Sequence, residues 1–117
     1  MPLPLPARAA VMALWLILLA CSVPSDVSRS VGARCDVNDE CDGRCLSGAA
    51  YPGGMCTLDC DDDVDCPDDA ACVQEQGNIC LFRCDQAIDC EFLGAGWTCQ
   101  SRPVAGGTDL VNVCLGG

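Results

Sequence analysis

Apolar and polar positions divide the chain into three parts. Residues 9–20 form an unbroken apolar run, whereas residues 22–33 are serine-rich and show no apolar periodicity. From residue 34 onward, short apolar runs surround single cysteines and are separated by acidic or glycine-containing stretches. Short runs bounded by turn residues are typical of β-strands. The third part therefore predicts three β-hairpins, with strands over residues 44–46, 55–57, 71–73, 79–81, 97–100 and 111–114.

A cysteine pattern repeats three times in this part. Each copy begins with Cys and Asp, continues with four residues of which the last is acidic (Glu40, Asp65 or Asp89), and then has its second Cys. Three residues separate successive copies, while the spacings after the second cysteine vary. A fixed opening with variable later loops is typical of repeated disulfide modules. The cysteines of the three copies are Cys35, Cys41, Cys45 and Cys56; Cys60, Cys66, Cys72 and Cys80; Cys84, Cys90, Cys99 and Cys114.

The predicted fold class is a small disulfide-rich protein of three tandem cysteine-rich modules, residues 34–58, 59–82 and 83–117. Each module is predicted to be an acidic loop laid against a short β-hairpin, with little regular secondary structure. Only 30 of the 96 residues after Cys21 are apolar when cysteine is left out. Divided among three modules, that is too little apolar surface to offset chain entropy, so disulfides at roughly 2–4 kcal/mol each must contribute.

Three pairings are open to four cysteines within one module. We favour first to third and second to fourth, because those bridges tie the acidic loop to a hairpin that is marginal alone. Pairing of first with second and third with fourth would leave loop and hairpin unconnected.

The first 20 residues are predicted to be a secretory signal. Arg8 precedes an apolar run of 12 residues, which is too short to cross about 30 Å of hydrocarbon as a helix. Leu18-Leu19-Ala20-Cys21 resembles the lipobox of bacterial lipoproteins, which implies cleavage before Cys21 and lipidation of its thiol. The odd total of 13 cysteines supports this, since 12 remain without Cys21. Residues 21–33 are then the lipidated cysteine and a flexible tether. The alternative is an ordinary signal peptide that is discarded whole.

Charge narrows the class of partners. The chain has a net charge of −11, and loss of Arg8 with the signal makes it one unit more negative. Such a surface repels nucleic acid and anionic headgroups. Nucleic acid is therefore not a predicted partner. The predicted partners are the lipid bilayer, because of the acylated N-terminus, and a protein or glycan of unknown identity.

Seven of the eleven residues from Asp59 to Asp69 are Asp. Asp61, Asp63 and Asp65 have the alternate spacing of an EF-hand start, and calcium favours several oxygen ligands from one loop. Cys66 and Cys72 then stand where that loop needs Gly and Glu. We therefore predict no cofactor, with calcium as a weak candidate; the alternative is that these aspartates cap tight turns. No Cys-x-x-Cys and no His occur, which disfavours a zinc or iron–sulfur site.

Catalysis is not predicted. Without His, Lys or a free thiol in the modules, the Ser-His and Cys-His mechanisms have no base. Trp97 is interpreted as the main apolar filler of the third module, with an exposed partner contact as the alternative. The long hairpin loop over residues 101–110 is predicted to be the place where a recognition surface most easily fits.

The opening Cys35-Asp36-Val37-Asn38-Asp39-Glu40-Cys41, and Cys60 to Cys66 followed by Pro67, resemble the openings of Dickkopf-type and whey-acidic-type modules. The adjacent Cys-Cys pair of the whey-acidic family is missing, so its protease inhibition is not implied. We expect a non-enzymatic lipoprotein, anchored at the bacterial outer membrane or cell surface, with an interaction or envelope-structural role. The alternatives are a secreted inhibitor or ligand-type protein without lipid, and a calcium-dependent adhesion module.

Overall fold

The computed structural model describes residues 27–117 of the chain. The predicted signal, Cys21 and the first residues of the predicted tether lie outside the described residues. Within residues 27–117, no helix has the length and apolar character needed to cross a membrane.

Three antiparallel two-stranded hairpins follow one another along the chain, and a short 3₁₀ helix precedes each of them. This arrangement confirms the predicted fold class. The strands are β1 (Arg44–Leu46), β2 (Met55–Thr57), β3 (Ala70–Val73), β4 (Ile79–Phe82), β5 (Trp97–Pro103) and β6 (Leu110–Gly116). The 3₁₀ helices are η1 (Asn38–Glu40), η2 (Asp63–Asp65) and η3 (Ala87–Leu93), so the predicted acidic loops are each wound into a helical turn.

The third hairpin is longer than predicted. Its pairing continues past the expected strand ends, with Arg102 opposite Val111 and Pro103 opposite Leu110. In the second hairpin, Gln76, Gly77 and Asn78 all have positive φ, as the tight turn between β3 and β4 requires.

The described part of the chain contains six disulfides, and they join first to third and second to fourth cysteine in every module. The favoured pairing is therefore confirmed. The third and fourth cysteines are directly opposite each other in each hairpin, as in Cys72 and Cys80, yet each bonds to the acidic turn instead. The bridges are Cys35–Cys45, Cys41–Cys56, Cys60–Cys72, Cys66–Cys80, Cys84–Cys99 and Cys90–Cys114.

One apolar cluster is shared by all three modules. The first module contributes Leu46, Tyr51 and Met55, and the other two contribute the buried faces of their hairpins. The three modules are therefore packed against one another into a single folded body. The largest side chains that are fully buried in the described residues are Tyr51, Phe82, Met55, Ile79, Leu81 and Leu115.

Each three-residue separator begins in a strand and ends in a β-bridge to the next module, at Asp59 with Ile79 and at Arg83 with Val113. Thr57 ends β2, and its hydroxyl donates a hydrogen bond of 2.6 Å to the carbonyl oxygen of Cys80. Leu81 and Phe82 are buried within β4, and Arg83 forms a β-bridge with Val113 of the third module. Each separator thus carries the chain directly into contact with the next module.

The third module also returns to the first. The indole Nε1 of Trp97 donates to the carbonyl oxygen of Pro52 at 3.1 Å, and the amide of Gly116 donates to the carbonyl of Ala50 at 2.7 Å. A Cβ on Gly116 would collide with the ring of Pro52. The glycine is needed here because the backbone of the third module passes so close to that of the first. Each of the three modules is therefore in contact with the other two.

The tether prediction is wrong for residues 28–33. Val31 is fully buried in the shared cluster, and Ser28 and Gly32 form a β-bridge. The backbone of this segment also forms two hydrogen bonds with Cys56. The amide of Gly32 donates to the carbonyl of Cys56, and the amide of Cys56 donates to the carbonyl of Ala33. Burial of Val31 and these hydrogen bonds order the segment, so the folded body begins before residue 34.

Candidate functional site

The constant acidic residue of each repeat folds back on the start of its own turn. Glu40 accepts hydrogen bonds from the amides of Asp36 and Val37, at 2.7 and 3.2 Å. The corresponding distances to the two amides are 2.9 and 3.4 Å for Asp65, and 2.8 and 3.0 Å for Asp89. The acid therefore satisfies amides that a short helical turn leaves without partners. Its position was visible in the repeat, but its role required the geometry.

These hydrogen bonds lower the pKa of two of the carboxyls. The amides of Asp36 and Val37 lower the pKa of Glu40 below its ordinary value, and Arg29 adds a smaller effect in the same direction. The amides of Asp85 and Gln86 lower the pKa of Asp89 in the same way. Both shifts arise because the hydrogen bonds favour the charged carboxylate.

A second side chain ties the acidic turn to the hairpin in two of the modules. Asn38 and Asp63, each the third residue after a first cysteine, accept a hydrogen bond of 2.9 Å from the amide of Cys45 and Cys72 respectively. Ala87 occupies this position in the third module and has no such group. The sequence did contain a signal for this brace, since Asn and Asp share one repeat position.

The three calcium candidates do not act as one group. Asp63 is occupied by the amide of Cys72 and, through its other oxygen, by Arg83 at 2.9 Å; Asp65 caps its turn. The backbone amide of Asp61 donates a hydrogen bond to the carboxylate of Asp65. No carboxylate triplet in the part of the chain described has its oxygens within 4.8 Å of one another. The alternative interpretation, that these aspartates organise turns, accounts for their contacts.

Three groups of clustered sulfur atoms exist in residues 27–117. Each contains three cysteines with Sγ atoms within 4.8 Å of one another, because the two disulfides of a module lie side by side. All of these cysteines are oxidised, so their sulfurs have no thiolate to offer a metal. The groups are Cys35, Cys41 and Cys45; Cys60, Cys66 and Cys72; Cys84, Cys90 and Cys114.

A polar cleft of about 630 Å³ lies where the first hairpin meets the second module. Arg44 forms its edge: its Nε is 3.0 Å from Oδ1 of Asp59, and its Nη2 donates to the carbonyl of Gln76. Asp61 and Asp65 also line the cleft. Arg44 of the first module is thus bound by two residues of the second module, which joins the two modules electrostatically.

The interpretation of Trp97 as a core residue is confirmed, since only 6% of its surface is exposed. The loop over residues 101–110, where a recognition surface was predicted to fit most easily, is docked on the second module through residues 102–105, while residues 106–110 are exposed. The amide of Ala105 donates to the carbonyl of Cys72 at 3.0 Å, and Arg102 pairs with Glu75 at 2.7 Å. The loop therefore both packs on the second module and leaves its tip exposed.

Tyr51 carries a buried hydroxyl for which the described residues provide no hydrogen-bond partner of acceptable geometry. Its side chain is 2% exposed and lies against Trp97, with ring centroids 6.5 Å apart. Burial raises the pKa of this phenol, and the negative charge of Glu75 acts in the same direction, while a polar contact with the Gln76 side chain, outside good hydrogen-bond geometry, opposes the shift.

Comparison of the chain with protein-family models, with curated proteins and with solved structures finds no match. The resemblances of residues 18–21 to a lipobox and of the repeat openings to Dickkopf-type and whey-acidic-type modules therefore stay predictions. Six disulfides in one small body do indicate an extracytoplasmic or secreted protein, because such crosslinks persist in oxidising compartments.

Proposed function

We propose that this chain is a lipoprotein of the bacterial envelope, anchored through acylated Cys21, whose rigid acidic ectodomain acts in non-enzymatic interactions. The observation that carries the proposal is cysteine parity. All twelve cysteines of the described residues are paired within their modules, so Cys21 alone is left over among the 13 cysteines of the sequence. A lipidated thiol accounts for that leftover cysteine, and the lipobox-like residues before it supply the processing signal.

The ordered N-terminal segment sets the distance from the membrane. Seven residue steps separate Cys21 from Ser28, where the packed body begins. A fully extended chain of that length reaches about 25 Å. The ectodomain would therefore stay close to the bilayer surface, which supports a role toward partners in the envelope rather than toward distant cells.

The ectodomain is suited to display. Disulfides, shared packing and inter-module hydrogen bonds fix its shape, so little conformational entropy is lost when a partner binds. Its acidic surface favours basic partners, and repulsion from anionic headgroups keeps the body from lying on the membrane.

Intact mass and membrane partitioning test the anchor. The wild-type protein is expected to begin at Cys21, to carry added acyl mass and to enter the detergent phase. Cys21→Ser is expected to lose the acyl mass and the detergent partitioning, while Ser25→Ala, four residues further on, should leave both unchanged. A wild-type protein recovered from the soluble fraction with a later N-terminus and no acyl mass would contradict the anchor and favour the secreted alternative.

A further inference from the structure

Val64 is the most exposed large apolar residue in the described part of the chain, with 88% of its surface accessible. It lies in the middle of η2, in the turn that the second module's acidic residues organise. A single exposed aliphatic residue is ordinary on a protein surface. The surroundings of Val64 distinguish it, because a cleft opens on each side.

The first cleft, of about 330 Å³, has Val64, Pro67 and Ala70 among its lining residues. The second, of about 430 Å³, lies between the second module and the loop of the third, where Val104 and Ala105 contribute half-buried apolar surface. Asp63 and Val64 line both clefts. We call these two residues the Val64 ridge. An apolar ridge between two partly apolar clefts offers places for apolar side chains of a partner.

The surface around the ridge is negatively charged. Asp68 lines the first cleft, and Asp62 and Asp109 line the second. Arg83 is the cation at this site, and its guanidinium is already bound to Asp63 at 2.9 Å. Asp62, Asp68 and Asp109 form no ion pair within the described residues. Their charges are therefore available to an incoming cation.

The ridge is held in place from several sides. Asp62 accepts a hydrogen bond from the amide of Val64 at 3.0 Å, and the bridges of Cys60 and Cys66 fix both ends of the turn. A rigid apolar group loses little entropy on binding, which favours affinity.

We infer that the Val64 ridge and its two clefts form the docking surface for a basic protein segment that alternates cationic and apolar side chains. Apolar side chains would cover Val64 and enter the clefts, while arginine or lysine residues would lie over Asp62, Asp68 and Asp109. Charge complementarity determines the choice of occupant. A second copy of this chain, which carries a net charge of −11, would be repelled from this surface. This inference rests on the proposed interaction function and names its partner class.

The test uses the mature protein with its disulfides intact, purified from whichever cell fraction contains it. The probe is a fluorescently labelled heptapeptide that alternates arginine and leucine, and binding is followed by anisotropy at physiological ionic strength. We expect saturable binding that Val64→Ser weakens roughly tenfold, since that is the effect of losing the burial of one valine side chain. The peptide with serine in place of leucine, which has the same charge, should bind more weakly to the wild type.

Matched variants separate docking from general attraction. Ile88 occupies the same repeat position in the third module and is 62% exposed, so Ile88→Ser should leave binding unchanged. The double variant Asp68→Asn with Asp109→Asn removes two charges at the ridge. It should weaken binding several-fold more than the double variant Asp36→Asn with Asp85→Asn, which removes two charges elsewhere.

Equal effects of the two charge pairs, or of Val64→Ser and Ile88→Ser, would overturn the inference. So would a concentration-dependent dimer that Val64→Ser abolishes, because the occupant would then be a second copy. None of these results bears on the mass of the N-terminus, so the anchor and the docking surface fail separately.

Discussion

The first and third modules share one covalent plan but bury it differently. In the first, Cys35, Cys41 and Cys56 form a small cluster of their own, packed against Ala33 and Cys45. In the third, Cys84, Cys90 and Cys114 belong to the large cluster that runs through the whole body. The same pairing rule therefore produces a first module whose disulfides lie mostly apart from the shared apolar cluster and a third module whose disulfides lie mostly within it.

Removal of a bridge should show this difference most strongly. Cys90→Ala with Cys114→Ala opens the bridge with the longest sequence separation, 24 residues, inside the shared core. We expect a loss of about 4 kcal/mol in the free energy of unfolding, from chain entropy and lost packing. Chemical denaturation under non-reducing conditions measures it.

The matched change in the first module is Cys41→Ala with Cys56→Ala, whose separation is 15 residues. We expect a smaller loss, of about 3 kcal/mol, because the closed loop is shorter and the shared cluster is untouched. A larger loss from this pair than from the third-module pair would show that the shared core does not distinguish the modules.

The contact between the first and third modules depends on Trp97. Trp97→Phe removes the indole donor to the carbonyl of Pro52 and part of the surface that packs on Tyr51. We expect a loss of about 1–2 kcal/mol in the free energy of unfolding. Leu110→Ala, at a residue of the third module that is 69% exposed, is the control and should cost less. An equal cost for both would mean that the contact between the modules adds nothing.

The capping acids Glu40 and Asp89 should make the stability of the first and third modules depend on pH in the acidic range. The folded-state pKa of Glu40 lies below its ordinary 4.5, and that of Asp89 below its ordinary 3.8. Each therefore stabilises the fold above its ordinary value, and this contribution disappears as pH falls through the lowered one. Melting temperature should decline over that range.

Glu40→Gln and Asp89→Asn should each lower the melting temperature at neutral pH, by less than loss of a disulfide does. Each should also make the melting temperature decline less steeply in acid. Asp39→Asn and Asp85→Asn are the neighbouring controls, since neither carboxylate accepts the capping amides. An unchanged acid profile in both capping variants would show that the caps do not carry the pH dependence. The same measurement with millimolar calcium also tests the calcium candidate.

The smallest effect is expected at Tyr51. Tyr51→Phe removes a buried hydroxyl whose contact with the Gln76 side chain lies outside good hydrogen-bond geometry, so the free energy of unfolding should change by no more than about 1 kcal/mol in either direction. A clear loss of stability would show that the hydroxyl is hydrogen-bonded in solution, and the contact between the modules would then be partly polar.

The disulfide pairing and the hairpins could be predicted from the sequence because they depend on residues that are close together along the chain. Cysteine spacing and turn residues lie within a few positions of one another, so the pairing and the first hairpin, Arg44–Leu46 with Met55–Thr57, followed from them. Burial of Val31 did not, since one apolar residue among serine and glycine carries no periodicity. The docking of Ala105 on Cys72 was equally unreadable, because such contacts depend on where three hairpins lie in space.

Within every module the two bridges interleave, so neighbouring cysteines along the chain are never native partners. A chain crossing a membrane from its N-terminus presents Cys35 and Cys41 to the oxidising machinery before Cys45 has emerged. Joining cysteines in their order of arrival would trap a wrong isomer in each module in turn. Maturation of this protein is thus expected to need a thiol–disulfide isomerase as well as an oxidase, with native crosslinks appearing only after exchange.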